Sequence, residues 1–152
     1  MGKLGDFFPQ GSKEKLADDL MQIGSVVRCY VTQTNPPKEK RFIILGRDSA
    51  KQYIGAIFIN TNVNFKVINS QELLELQYPV KKDGNDYLNW DSFVDCSKLI
   101  KLEFEHVKTA IVAKPDCVLG MVKKEDLEII YTLVKSSPNI SQAELKSIGL
   151  GK

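Results

Sequence analysis

Residues 25–61 decide the fold: they read SVVRCYVT (25–32), QTNPPKEK (33–40), RFIILG (41–46) and, after a short polar link, YIGAIFINT (53–61). In the first block Val27, Cys29 and Val31 alternate with Arg28, Tyr30 and Thr32. A period of two places the apolar set on one side, as in a strand with one buried face. The second block holds Pro36, Pro37, Lys38, Glu39 and Lys40, which suit a loop. At Arg41 the chain enters a continuous apolar run, so a basic loop opens directly into a core strand. Gly46-Arg47-Asp48-Ser49 signals a turn, and Tyr53 to Asn60 supplies the next strand. The two strands make a hairpin that ends in the polar tip Asn60-Thr61-Asn62.

On the N-terminal side, Ser12 is placed to cap a helix in which Leu16, Leu20 and Ile23 recur at helical spacing, and Gly24 is placed to close it. Before that helix, the rings of Phe7 and Phe8 are expected to anchor the tail to its own core. On the C-terminal side, a short strand is expected over residues 63–68, followed by a helical turn capped by Ser70 and running through Glu72 and Leu74. Asp83-Gly84-Asn85 is a turn, because glycine and asparagine tolerate positive φ. Beyond it, Leu88, Trp90, Ser92, Val94 and Cys96 share one face of a predicted strand, with Tyr87, Asn89, Asp91, Phe93 and Asp95 on the other. The first set is expected to point inward. Ile100, Leu102 and Phe104 alternate with Lys101, Glu103 and Glu105 as a further strand.

After Pro115 the period changes. Leu127, Ile130, Tyr131 and Val134 form one helical stripe. Ser141 and Glu144 make a capping box, with Ile140 and Leu145 as its hydrophobic staple. A chain of 152 residues reads as a single mainly β domain: tail and helix over 1–23, strands over 24–122, helices over 123–152.

The 21 basic and 19 acidic residues nearly balance, so any nucleic-acid contact must be a local patch rather than a coat of charge. Cys29, Cys96 and Cys117 are an odd set without CxxC spacing, read as reduced core thiols. No apolar stretch suits a membrane span or a signal peptide, which predicts a cytoplasmic protein with no membrane partner. No phosphate-binding glycine loop, HExxH, GxSxG or metal-ligand spacing occurs, so neither metal nor cofactor is expected. His106, the sole histidine, falls on the strand face of Ile100, Leu102 and Phe104 as a structural residue, and Asp91 and Asp95 read as solvated strand edges.

Gly24-Ser25-Val26-Val27 followed by Lys40-Arg41-Phe42-Ile43-Ile44-Leu45 resembles the MazF/PemK family of toxin endoribonucleases, in which a "G-D-V-V" strand precedes a charged loop and an "R-P-hydrophobic" strand. Ile59-Asn60-Thr61 is similar to the family's "P-I-T-S" segment, residues 92–96 to its "S-V-V-L-x-D-Q" strand, and residues 119–122 to the step before its last helix. Phe42 and Cys96 stand where the family has proline and glutamine. The resemblance implies an SH3-like barrel with added helices, working as a homodimer, bound by a cognate antitoxin and cleaving single-stranded RNA without metal. Arg41 would contact the scissile phosphate, Thr61 would add a donor, and Glu39 would accept a proton. Lys38, Lys40, Arg47, Asn60 and Asn62 would hold the RNA. The long ends point to a divergent branch, such as one carried by a phage or mobile element. The reading from another class is a non-catalytic barrel that binds nucleic acid or a protein partner.

Overall fold

The computed structural model describes residues 10–34, 36–50 and 52–150. Phe7 and Phe8, and the anchoring expected of them, lie outside the described residues. The chain runs α1 (Gln10–Leu20), β1 (Ser25–Val31), β2 (Lys38–Arg47), β3 (Tyr53–Asn60), α2 (Gln71–Leu74), β4 (Gln77–Val80), β5 (Ser92–Asp95), β6 (Ile100–Glu103), α3 (Phe104–Ala113), a 3-10 turn at Pro115–Cys117, β7 (Val118–Met121), α4 (Lys124–Ser136) and α5 (Gln142–Ser147).

One seven-stranded sheet takes the order β4-β5-β3-β2-β1-β7, and β6 pairs with β3 beside β5. Every pairing is antiparallel. The expected mainly β architecture is therefore present, but the sheet is open: β4 and β7 are its edges and do not meet, so it does not close into the expected barrel. The reason is visible in β2. Phe42, Ile43, Ile44 and Leu45 are all buried, two to each face. A strand buried on both sides reads as an unbroken apolar run rather than an alternation.

Two hydrophobic cores result. On one face Val26, Ile43, Leu45, Ile57 and Ile59 pack with Ile130 and Val134 of α4 and with Leu145 and Ile148 at α5. On the other, Val27, Cys29, Val31, Phe42, Ile44, Ile54 and Ala56 pack with Ala17 of α1, with Met21 just beyond its end, and with Val107 and Ile111 of α3. Each large apolar side chain so buried contributes about 1.5–3 kcal/mol. Polar ties fix the helices: the Tyr131 hydroxyl donates to the Leu45 carbonyl at 3.1 Å, and Lys108 pairs with Asp18 at 3.5 Å. Gly24, at φ 93°, turns the chain so that its N–H reaches the Ile44 carbonyl and its own carbonyl receives the Val122 N–H.

Several expectations are corrected. Helix α1 already includes Gln10, so Ser12 lies inside it; Ala17 within it and Met21 just beyond its end are buried, while Ile23 is 52% exposed. Residues 63–68 form turns instead of a strand, stitched by the Asn64 carbonyl to the N–H groups of Val67 and Ile68. The alternation over 87–96 holds from Ser92 to Cys96, of which Ser92–Asp95 is strand β5. Upstream, Tyr87 is buried and Trp90 is 68% exposed, because the Asp91 carboxylate captures the Lys82 N–H and bends the segment. Phe104 opens helix α3 instead of ending a strand. Gly46 and Arg47 still belong to β2, and the turn is made by Asp48, whose carboxylate accepts from the N–H groups of Gln52 and Tyr53.

Candidate functional site

The β1–β2 hairpin pairs Val31 with Lys38, so the strand β2 begins earlier than its apolar run and carries Lys38, Glu39 and Lys40 within it. That register sets Arg28 directly opposite Arg41, and Tyr30 opposite Glu39. Arg41 in turn pairs with Ile59, Ile59 with Val94 and Val94 with Tyr78. Arg28, Arg41, Ile59, Val94 and Tyr78 thus form one row across the sheet, with neighbours about 4.8 Å apart along the hydrogen-bonding direction.

Arg41 is half-buried. Its Nε is buried and has no hydrogen-bond partner among the described residues. Burial chiefly, and then the Arg28 charge, lower its pKa, while Glu39 acts in the opposite sense; the guanidinium stays protonated at any physiological pH. Arg28 Nε lies 2.5 Å from Glu39 Oε1 in an ion pair about half exposed on both sides. An exposed pair of this kind contributes about 0–1 kcal/mol. Two guanidiniums therefore face one place, and a single weakly held carboxylate is engaged with one of them.

Residues one step along β2 point the other way. The Lys40 ammonium bonds Asn60 Oδ1 and lies 5.1 Å from the Phe58 ring centroid. Burial first, then Lys38, lowers its pKa, and Asp95 partly restores it. The expected site residues thus divide between two faces: Glu39 and Arg41 on one, Lys38, Lys40 and Asn60 on the other. Thr61 and Asn62 are exposed in the bend that follows β3, two and three residues beyond the partner of Arg41. Arg47 is not brought to this group. It sits about 20 Å along β2 from Arg41, by strand rise, with its guanidinium 5.7 Å from the Phe104 ring centroid.

His106 is also corrected. It lies exposed in the first turn of α3, and its Nε2 meets the Tyr30 carbonyl at 2.9 Å. A carbonyl only accepts, so Nε2 carries the proton and the ring pins α3 to β1. Asp95 is occupied by Gln77 and Ser97, so Asp91 and Asp95 act as separate local caps. Across the row, the Tyr78 hydroxyl donates to Asp126 Oδ1 at 2.6 Å, which pushes the phenol up to about 12. Among the described residues no group of three or more His, Cys, Asp or Glu side chains is arranged to hold a metal ion, and no helix is long and apolar enough to cross a membrane.

Sequence reasoning missed Arg28, which the alternation marks only as outward-facing. The signal that finds it is the hairpin register, since pairing Val31 with Lys38 forces Arg28 opposite Arg41. Comparison with known protein families and with characterised proteins finds no match to this chain.

Proposed function

We propose that the chain is an RNA-directed protein whose Arg41 end of the sheet receives a phosphodiester, and that it cleaves single-stranded RNA without metal. The observation that carries this reading is the Arg41 guanidinium, buried at Nε without a hydrogen-bond partner among the described residues and set opposite a second arginine in a chain of net charge only +2. The planar fork of a part-exposed guanidinium suits two phosphate oxygens. Cleavage itself enters from the resemblance to the MazF/PemK toxins. Attack by the adjacent 2′-hydroxyl needs stabilisation of the phosphorane charge and alignment, which Arg41 and the exposed Thr61 hydroxyl would supply. On this reading the chain is a divergent relative whose SH3-like sheet has stayed open. A homodimer, a cognate antitoxin and a cytoplasmic location belong to the same proposal, as does a phage or mobile-element origin.

One observation favours the second reading, a binding module without catalysis. Glu39, the carboxylate on the Arg41 face of β2, is paired with Arg28, the place of a charge partner rather than of a base poised at the Arg41 site. The two readings part in a single experiment. Purified protein is incubated with RNA in excess chelator, and the fragment ends are analysed. Cleavage predicts cyclic phosphate termini, no reaction when the target ribose is deoxyribose, and loss of activity in Arg41→Ala with poor rescue by lysine. Intact RNA with retained binding selects the binding module. Activity undiminished in Arg41→Ala removes Arg41 from the site.

A further inference from the structure

We propose that Arg28 is the second phosphate-binding group of this site and that Glu39 is its built-in occupant, a carboxylate that holds Arg28 in the free protein and is displaced when a phosphodiester arrives. The proposal rests on the phosphate-binding reading of Arg41 and adds to it a residue and a device. Like charges directly opposite each other on neighbouring strands repel, and Arg28 and Arg41 are such a pair. Their mutual repulsion calls for an anion between them. Glu39 bonds Arg28 through Nε and acts on Arg41 only through its charge, leaving Arg41 Nε without a hydrogen-bond partner among the described residues.

The position of Glu39 is fixed by the sheet and not by a mobile loop. It pairs with Tyr30, two residues along β1 from Arg28, which places its carboxylate diagonally across from the Arg28 guanidinium. The ion pair is half exposed on both sides, so opening it costs an equilibrium factor of at most about fivefold. A phosphodiester that reaches both guanidiniums forms charge-assisted bonds with each, whereas Glu39 bonds Arg28 alone. The phosphate therefore wins the competition. The internal carboxylate instead screens the site against weaker anions, which can engage only one fork.

Binding is read by fluorescence anisotropy with a fluorescein-labelled, mixed-sequence oligomer of 2′-O-methyl ribonucleotides, which keeps the phosphates and lacks the nucleophile. Arg28→Ala should weaken binding several-fold and reduce the slope of log affinity against log salt by about one. Glu39→Gln, which keeps shape and removes charge, should tighten binding by about two- to fivefold. The decisive measurement is the double variant: if Glu39 acts by occupying Arg28, the gain from Glu39→Gln disappears when Arg28 is alanine. An equal gain in both backgrounds shows a general charge effect and overturns the occupant. If Arg41→Ala abolishes binding while Arg28→Ala leaves it unchanged, the Arg41 reading stands and this inference falls. Absence of binding by the unsubstituted chain overturns both.

Discussion

At the residue scale, two glycines show what the linear chain conceals. Gly46 and Gly55 are opposite each other on β2 and β3, and Ile148 at the end of α5 fills the notch they leave. In the sequence the first reads as part of a turn signal and the second simply as part of the strand Tyr53 to Asn60. Neither reading reveals a packing role, because that role depends on a partner about a hundred residues away. A methyl added at Gly46 would meet the Ile148 backbone carbonyl, whereas one added at Gly55 would meet only the Ile148 side chain. Backbone yields less readily than a rotamer. Gly46→Ala should therefore cost about 1–3 kcal/mol and Gly55→Ala less, with the loss at Gly55 largely recovered when Ile148 is also alanine. Urea midpoints of the single and double variants test this, and recovery at Gly46 equal to that at Gly55 would count against it. Arg28 teaches the same lesson for the site. Arg41 is singled out in the sequence by its match to the arginine that opens the family's second core strand, but its facing partner emerges only with the register.

At the scale of elements, local signals proved legible wherever capping or an unmixed period marked them. Ser70 caps α2 through the Leu73 N–H, and Ser141 and Glu144 form the capping box of α5. The stripe predicted for α4 places Ile130 and Val134 in the core. Helix α3 was hidden because Phe104 serves two periods at once. It continues the alternation of Ile100 and Leu102 and also opens the helical stripe Phe104, Val107, Ile111. No strong cap separates them: Glu103 stands at the N-cap and makes no side-chain bond there. Residues 63–68 misled in the opposite direction, since β-prone side chains alternate through a segment that the Asn64 carbonyl and carboxamide fold into turns. The capping box of α5 carries a measurable share of stability, because the helix brings Leu145 and the residue after it, Ile148, onto the sheet. Ser141→Ala should cost about 1 kcal/mol by leaving the Glu144 N–H without its acceptor, and Ser141→Thr should restore most of it. Denaturant unfolding at neutral pH would show whether the hydroxyl, not the site's size, is responsible.

At the scale of the whole molecule, the strand-rich reading was sound while the closure was not. The unbroken run at Phe42–Leu45 marks a core strand in the sequence, but the number of faces it buries depends on which elements flank it. Two cores on one sheet is what such a run specifies when helices flank it on both sides of the chain. Each core holds one buried thiol, Cys96 with α4 and α5 and Cys29 with α1 and α3. Burial, aided by Cys117 and Glu39, pushes Cys29 up to about 11, and burial, aided by Asp95, pushes Cys96 up to about 12, from an ordinary value of 9.0. Below pH 9 both thiols are protonated in folded and unfolded chains alike, and their contribution to stability is fully present. Above pH 9 the unfolded thiols ionise first, so the folded state holds more protons and stability falls. The limiting slope is about 1.4 kcal/mol per pH unit for each thiol. Tyr78 and Tyr87, both raised to about 12, add a loss of the same sign from pH 10 upward. Lys40 opposes them, because its lowered pKa makes the folded state release a proton before the unfolded one does. Four groups against one leave a net decline. Urea unfolding between pH 8 and 10 should therefore show stability flat at first and then falling, and replacing both Cys29 and Cys96 by alanine should flatten the fall after its own fixed cost. A single such replacement should remove a similar part of the slope from either core, with Cys117 keeping a share in both, since β1, β2 and β3 are common to both and the sheet unfolds as one. An unchanged slope in the double variant would show that the buried thiols do not govern alkaline stability.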